Sequence, residues 1–134
     1  MVLRPDQFTE QAQQVLQNSQ EMVRRYHHSQ WDVEHILMAL LDLEHGLPTD
    51  ILNAILVAPE AIKASLHRAL EAAPKITGEA SQIYATPRAA ALLDEAKREA
   101  ERLKDDFIGA EHLFIAASIE SQGDSSQVLK EFGI

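Results

Sequence analysis

Shifted by 77 residues, the chain falls on itself: Thr9 to Val57 aligns with Thr86 to Ile134 without a gap, and nine of those 49 positions are identical. The identical pairs are Thr9 with Thr86, Ala12 with Ala89, Leu16 with Leu93, Arg25 with Arg102, Glu34 with Glu111, His35 with His112, Ala39 with Ala116, Gly46 with Gly123 and Leu52 with Leu129. An internal repeat of this kind constrains a fold more than any single motif, because each unit must bury its apolar face against its neighbour. The apolar spacing carries the repeat further than identity does. Ala12, Val15, Leu16, Ser19, Met22, Val23 and Tyr26 recur at helical intervals, and Ala89, Leu92, Leu93, Ala96, Ala100 and Leu103 follow at the same offsets. Thr9 and Thr86 stand where N-caps belong, with Glu10 and Pro87 suited to a first turn.

A second helix is predicted in each copy, from about Val33 to Glu44 and from about Ala110 to Ser121. Both are apolar on most sides, the pattern of a buried helix. Gly46 and Gly123 are placed to end them as left-handed C-caps. Short third helices are predicted around Ile51 to Leu56 and Val128 to Phe132. The first copy then adds Pro59 to Ala72, with Ile62, Leu66, Ala69 and Leu70 on one face. The expected architecture is all-α: two tandem, pseudo-twofold-related helical repeats forming one compact bundle. The 134 residues make one domain. Repeat one covers about 8–73, a linker with Pro74, Gly78 and Ser81 about 74–85, and repeat two about 86–134. No fourth helix closes the second repeat, so the chain reads as a piece of a longer protein or as a shorter second repeat.

Composition narrows the function. A formal charge of −9 opposes phosphate backbones and anionic membranes, and favours cationic or apolar partners, basic polypeptide segments among them. The chain has no cysteine, which excludes thiol chemistry and fits a reducing, cytoplasmic setting. The first ten residues lack the apolar stretch of a signal peptide, and the longest apolar run, Ile36 to Leu41, is too short to span a bilayer. No Walker A, G-x-G-x-x-G or G-x-S-x-G pattern is present, so neither a catalytic group nor a cofactor is expected.

The repeated Glu34-His35 and Glu111-His112 pairs resemble an active site most closely. Successive helix residues point about 100° apart, so the pair does not make a chelate. Two readings stand beside each other. In one, each His bonds a nearby backbone group in the first helical turn and each Glu answers the helix dipole. In the other, Thr and Glu form a polar, negative contact for an arginine or an exposed amide. A metal shared by His35 and His112 across the pseudo-twofold axis is a remoter possibility. His27 and His28 are expected to be solvated, and His45 and His67 show no partner in the sequence. Lys97 to Arg102 reads as a solvated helix face. Trp31 and Phe107 are expected in the core; exposed, either would mark a peptide-binding groove.

Phe8-Thr9-Glu10-Gln11-Ala12 and Trp31-Asp32-Val33-Glu34-His35-Ile36-Leu37, with Thr86-Pro87-Arg88 and Phe107-Ile108-Gly109-Ala110-Glu111-His112-Leu113, resemble the motifs of the Clp N-terminal repeat over nearly the whole chain. The resemblance implies a mobile N-terminal domain of an AAA+ unfoldase, itself non-catalytic. Such a domain receives unfolded or aggregated polypeptides, or an adaptor, and passes them to a hexameric ATPase ring. The region after Leu70 is more similar to the disaggregase branch (ClpB-like) than to the protease-partner branch (ClpC-like). On its own the fragment is expected to be a monomer. The positions the resemblance implies for substrate contact are Thr9 and Glu34 in the first repeat, and Thr86, Asp105 and Glu111 in the second. Asp32-Val33 replaces the ClpC-type Gly-Thr, and the added carboxylate speaks against a phosphoarginine ligand. A free-standing helical adaptor is the competing reading.

Overall fold

A computed structural model describes residues 5–43, 46–77, 83–120 and 122–134. After a short 3₁₀ turn at Pro5–Gln7, the elements run in order α1 (Glu10–Arg25), β1 (Gln30–Trp31), α2 (Val33–Leu41), α3 (Leu47–Ala54) and α4 (Pro59–Ala72). Then come β2 (Tyr84–Ala85), α5 (Pro87–Arg102), α6 (Ala110–Ile119) and α7 (Gly123–Glu131). The all-α reading holds. α1 packs on α2, α5 packs on α6, and α2 meets α6 at the centre. Every residue of α2 is buried, as its all-round apolar sequence requires. α1 buries Ala12, Val15, Leu16, Ser19, Met22 and Val23, and α5 buries Ala89, Leu92, Leu93, Ala96, Glu99 and Ala100. At the ends of these stripes Tyr26 is half-buried and Leu103 exposed.

The 77-residue shift maps contacts as well as residues. Phe8 bridges Ile108, and Ala85 pairs with Trp31; both pairings are parallel, and the shift carries Phe8 to Ala85 and Trp31 to Ile108. The Thr9 N–H donates to the Ile108 carbonyl at 2.9 Å, and the Thr86 N–H to the Trp31 carbonyl at 2.9 Å. Each repeat thus fixes the start of the other's first helix. Both threonines cap as expected, Thr9 Oγ1 accepting from the Ala12 N–H at 3.1 Å and Thr86 Oγ1 from the Ala89 N–H at 3.0 Å.

Several boundaries differ from expectation. α2 and α6 stop at Leu41 and Ile119; the expected end points Glu44 and Ser121, like Gly78, Ser81 and His45, lie outside the described residues. α3 and α7 begin earlier, at Leu47 and Gly123, because Pro48 and the polar run after Gly123 form first turns that apolar periodicity does not register. The two glycines do not close the preceding helices. Gly46 is extended (φ −170°) and serves as N-cap of α3, whereas Gly123 (φ +81°) opens α7 with the Arg88 guanidinium against its Cα. The left-handed helix ends fall elsewhere, again in pairs: His27 with Lys104 (φ 59° and 62°), and Leu56 with Gly133 (φ 62° and 77°). The β2 pair lies inside the expected linker. Among the described residues no buried side-chain nitrogen or oxygen lacks a partner, and no helix is long and apolar enough to cross a membrane.

Candidate functional site

The two Glu-His motifs share a backbone role. His35 Nδ1 accepts the Asp32 N–H at 3.0 Å, and His112 Nδ1 accepts the Gly109 N–H at 2.8 Å. The rings therefore close the first turns of α2 and α6, as the structural reading of these residues has it. With Nδ1 an acceptor, the proton of each neutral ring sits on Nε2. His112 Nε2 donates to Asp105 Oδ2 at 2.7 Å. His35 Nε2 meets His28 Nδ1 at 2.9 Å, so the His28 proton also lies on Nε2, which meets the Leu70 carbonyl at 3.0 Å. His28 and Asp105 are themselves 77 residues apart. One geometry thus holds a histidine partner in copy one and a carboxylate in copy two. One expectation fails here. His28 is buried, not solvated. His35 and His112 take separate partners, so they do not converge on one metal. His67 also has a partner, the Tyr26 hydroxyl at 2.6 Å. Burial lowers the His35 pKa to about 4, with help from His28, and burial lowers that of His28 as well.

Of the expected contact residues, Glu34 and Thr86 meet at one site. The Thr86 hydroxyl donates to Asp32 Oδ1 at 2.7 Å. Glu34, only 8% exposed, accepts from Arg88 Nη2 at 3.0 Å and from the Ser125 N–H at 3.1 Å. Arg88 also reaches Glu120 through Nε and Nη2, both at 3.0 Å, Asp32 at 3.4 Å and the Gln122 carbonyl at 2.7 Å. One guanidinium therefore answers three carboxylates. Its pKa is raised, first by the Glu120 hydrogen bond, against the opposing effect of burial, and then by Glu34. Sequence reasoning missed Arg88 because its partners lie 32 to 56 residues away. Its position in the first turn of α5, facing three acids across the fold, is visible only in the tertiary structure. A cavity of about 410 Å³ opens beside this network, lined in part by His28, Glu34, Leu70 and Arg88.

Thr9, Asp105 and Glu111 belong to the other site, since Thr9 bonds Ile108 and the Asp105–His112 contact frames α6. Here the shift replaces Arg88 by Gln11, Asp32 by Gly109, Glu120 by Leu43 and Ser125 by Pro48. Among the described residues no lysine or arginine pairs with Glu111. His112 Nδ1 lies 3.7 Å from its carboxylate, but that nitrogen already accepts the Gly109 N–H and has no proton to offer. The Glu111 carboxylate folds back over Gly109, where a Cβ would collide with it. Asp105 is exposed and Glu111 half-buried, with 49% and 37% of their side chains accessible. Leu103 and Phe107 stand exposed around Asp105, at 45% and 53%. Phe107 therefore departs from the core expectation that Trp31 meets; Trp31 is 3% exposed and its indole N–H donates to Ser19 Oγ at 2.8 Å. Asp105, Glu111 and His112 have ligand atoms within 4.8 Å of one another. Both His112 nitrogens are already committed to hydrogen bonds, so a cation here would have to displace Asp105 from the ring.

The reciprocal backbone bonds and the two sites related by the 77-residue shift define a duplicated helical domain. The chain belongs to the Clp repeat (R) N-terminal domain family, whose model matches residues 7–132. A domain of this family has no catalytic role of its own. Among curated relatives, the chaperone protein ClpB of Bacillus anthracis is 34% identical over 132 residues, covering 96% of this chain and 15% of that protein. ClpB 1 of a Nostoc species is 32% identical over 130 residues, covering 97% of this chain and 14% of that protein. The chain therefore spans about a seventh of these relatives' length. The fold matches the Hsp104 N-terminal domain of Candida albicans at TM-score 0.78 and 22% identity, covering 95% of this chain and 82% of that one. It also matches the N-terminal domain of the ClpV1 ATPase from E. coli at TM-score 0.79 and 19% identity, covering 96% and 84%.

Proposed function

We propose that this domain is the polypeptide-docking module of a ClpB-type AAA+ disaggregase, holding unfolded or aggregated chains, or an adaptor, for a hexameric ATPase ring in the cytoplasm. The observation that carries the reading is the asymmetry between the two sites. In copy one Arg88 supplies the guanidinium that Asp32, Glu34 and Glu120 demand. In copy two the arginine is replaced by Gln11, Asp105 and Glu111 lie close to each other, and Phe107, two residues from Asp105 in the chain, is exposed. Accessible carboxylates with an exposed aromatic two residues along suit a polypeptide that brings cationic and apolar side chains together. On this reading Thr9, Asp105 and Glu111 form the working contact, and Glu34 and Thr86 support the fold. ClpB relatives favour the disaggregase branch over a ClpC-type protease partner.

The test titrates a permanently unfolded protein against the wild type, Glu111→Gln and Phe107→Ser. Binding by the wild type that weakens about tenfold in either variant supports the proposal, as expected for a lost charge-assisted contact or a lost aromatic anchor. Equal binding by all three would return Glu111 to a helix-dipole role alone.

A further inference from the structure

Three consecutive residues just past α1 hold the far end of α4 and the chain that follows it. The Tyr26 carbonyl accepts from Lys75 Nζ at 3.0 Å, the His27 carbonyl accepts the Ile76 N–H at 2.8 Å, and His28 Nε2 donates to the Leu70 carbonyl at 3.0 Å. The Tyr26 ring stacks on the His28 ring with centroids 5.7 Å apart, and its hydroxyl meets His67 of α4 at 2.6 Å. The opposite end of α4 is tied differently, by a salt bridge from Lys63 to Asp42 at 2.7 Å that involves no histidine. Between the ends α4 packs on α2, α7 and α3, with Ile62, Leu66 and Leu70 buried.

The tie through His28 is coupled to a proton. Its Nδ1 accepts from His35 Nε2, and His35 Nδ1 is fixed by the Asp32 N–H. A proton arriving at His28 Nδ1 therefore meets the N–H of a ring that cannot change tautomer without losing the first-turn bond of α2. The ring left to turn is His28, and the Leu70 turn and Tyr26 lie over it, so it reaches water only when the end of α4 lifts. Around the pair, Glu71 and Asp32 favour the proton, whereas Lys75 and His27 oppose it. Glu34, Arg88 and Asp124 line the cavity beside it. We infer that α4, with residues 73–76, is a proton-released flap: a proton taken up by the His28–His35 pair frees its C-terminal end from α1 and α2 and bares the surface beneath, while the rest of the domain stays folded. The three buried apolar side chains keep the flap shut in most molecules, so acid raises the open fraction without inverting the balance. With His35 at 6.5 when hydrated and about 4 when covered, opening is favoured roughly twentyfold more at pH 5 than at pH 7, and the burial of His28 acts in the same direction. Copy two lacks the device, because Asp105 stands in the place of His28 and takes the His112 proton without a second ring.

Amide hydrogen exchange of the wild type at pH 7 and pH 5, corrected for intrinsic rates and repeated in low urea, tests this. Amides from Ala64 to Leu70 should exchange through an opening with a smaller urea dependence than that of α5 and α6, as a local event exposes less surface than global unfolding. That opening should be roughly twentyfold or more populated at pH 5. The double variant His28→Gln with His35→Gln, in which neither side chain titrates, should gain less than about threefold. Three results would each overturn the inference: α4 amides exchanging together with those of α5 and α6 at one urea dependence, a wild-type gain below about threefold, or a folded double variant that keeps the wild-type gain. Circular dichroism checks the fold of the double variant; should it not fold, the wild-type comparison of α4 with α5 and α6 decides alone.

Discussion

Lowering the pH should open the histidine relay that joins α1, α2 and α4. His35 has no free nitrogen: Nδ1 accepts the Asp32 N–H and Nε2 faces His28, whose own Nε2 is used on Leu70. A proton on either ring therefore sets N–H against N–H. The folded pKa of His35 is depressed, from 6.5 to about 4. A depressed value means the unfolded chain binds more protons, so the stability it contributes is present above pH 6.5 and is lost as pH falls toward 4. With those two values the loss between pH 7 and pH 5 is about 2 kcal/mol. His28 is shifted in the same direction and adds to it. For a chain of this size that corresponds to a fall in Tm of roughly 6 °C. The assay is urea denaturation of the wild type, His35→Gln and His28→Gln at pH 7 and pH 5. Glutamine retains a donor and an acceptor but does not titrate, so the quantity compared is the change with pH and not the absolute stability. A wild type losing less than about 0.5 kcal/mol, or a His35→Gln variant with an undiminished pH dependence, would refute the reasoning.

Other perturbations follow from the comparison of the two copies. Leu56 is 93% exposed at φ 62°, where the second copy has Gly133; Leu56→Gly should relieve a left-handed backbone without losing packing and stabilise the domain by about 0.5–1 kcal/mol, read by thermal denaturation. Arg88→Met leaves Asp32, Glu34 and Glu120 facing one another and should cost about 3–5 kcal/mol, with Arg88→Lys recovering only part because a single ammonium cannot reproduce the forked contacts. Thr86→Ala removes both the cap to Ala89 and the bond to Asp32 and should cost about 1–2 kcal/mol in urea denaturation.

Local signals were the legible ones. Thr9 and Thr86 stand next to the helices they cap, and His35 and His112 reach backbone three residues away, so spacing alone reveals their work. The amphipathic stripes of α1 and α5 reveal the core for the same reason. What sequence could not convey is which polar groups meet across the fold. His28 looks solvated in its polar stretch until α4 closes over it with the Leu70 carbonyl, 42 residues on. Arg88 looks like one surface cation until the acids of α2 and of the α6–α7 turn surround it. Gly46 and Gly123 are ambiguous in sequence because a glycine after an apolar run fits either the end of one helix or the beginning of the next. Among the candidate contact residues the pattern does not show the division: Glu34 and Glu111 are equivalent by spacing, but Glu34 is met by Arg88 and the Ser125 N–H, whose counterparts are Gln11 and Pro48.

The reciprocal strand contacts also bear on how the chain reaches this fold. Phe8 meets Ile108, 100 residues further along the chain, and Trp31 meets Ala85, more than fifty further along. The short helices around them form from neighbours in sequence, but the registration of the halves waits on these distant encounters, which raises contact order and slows an otherwise fast helical search. Neither half can pair the amide of its capping threonine in isolation, because the carbonyl that receives the Thr9 or Thr86 N–H belongs to the other half. Cutting the chain between the repeats should therefore yield two fragments that regain structure only when mixed, with a refolding rate that depends on their concentration.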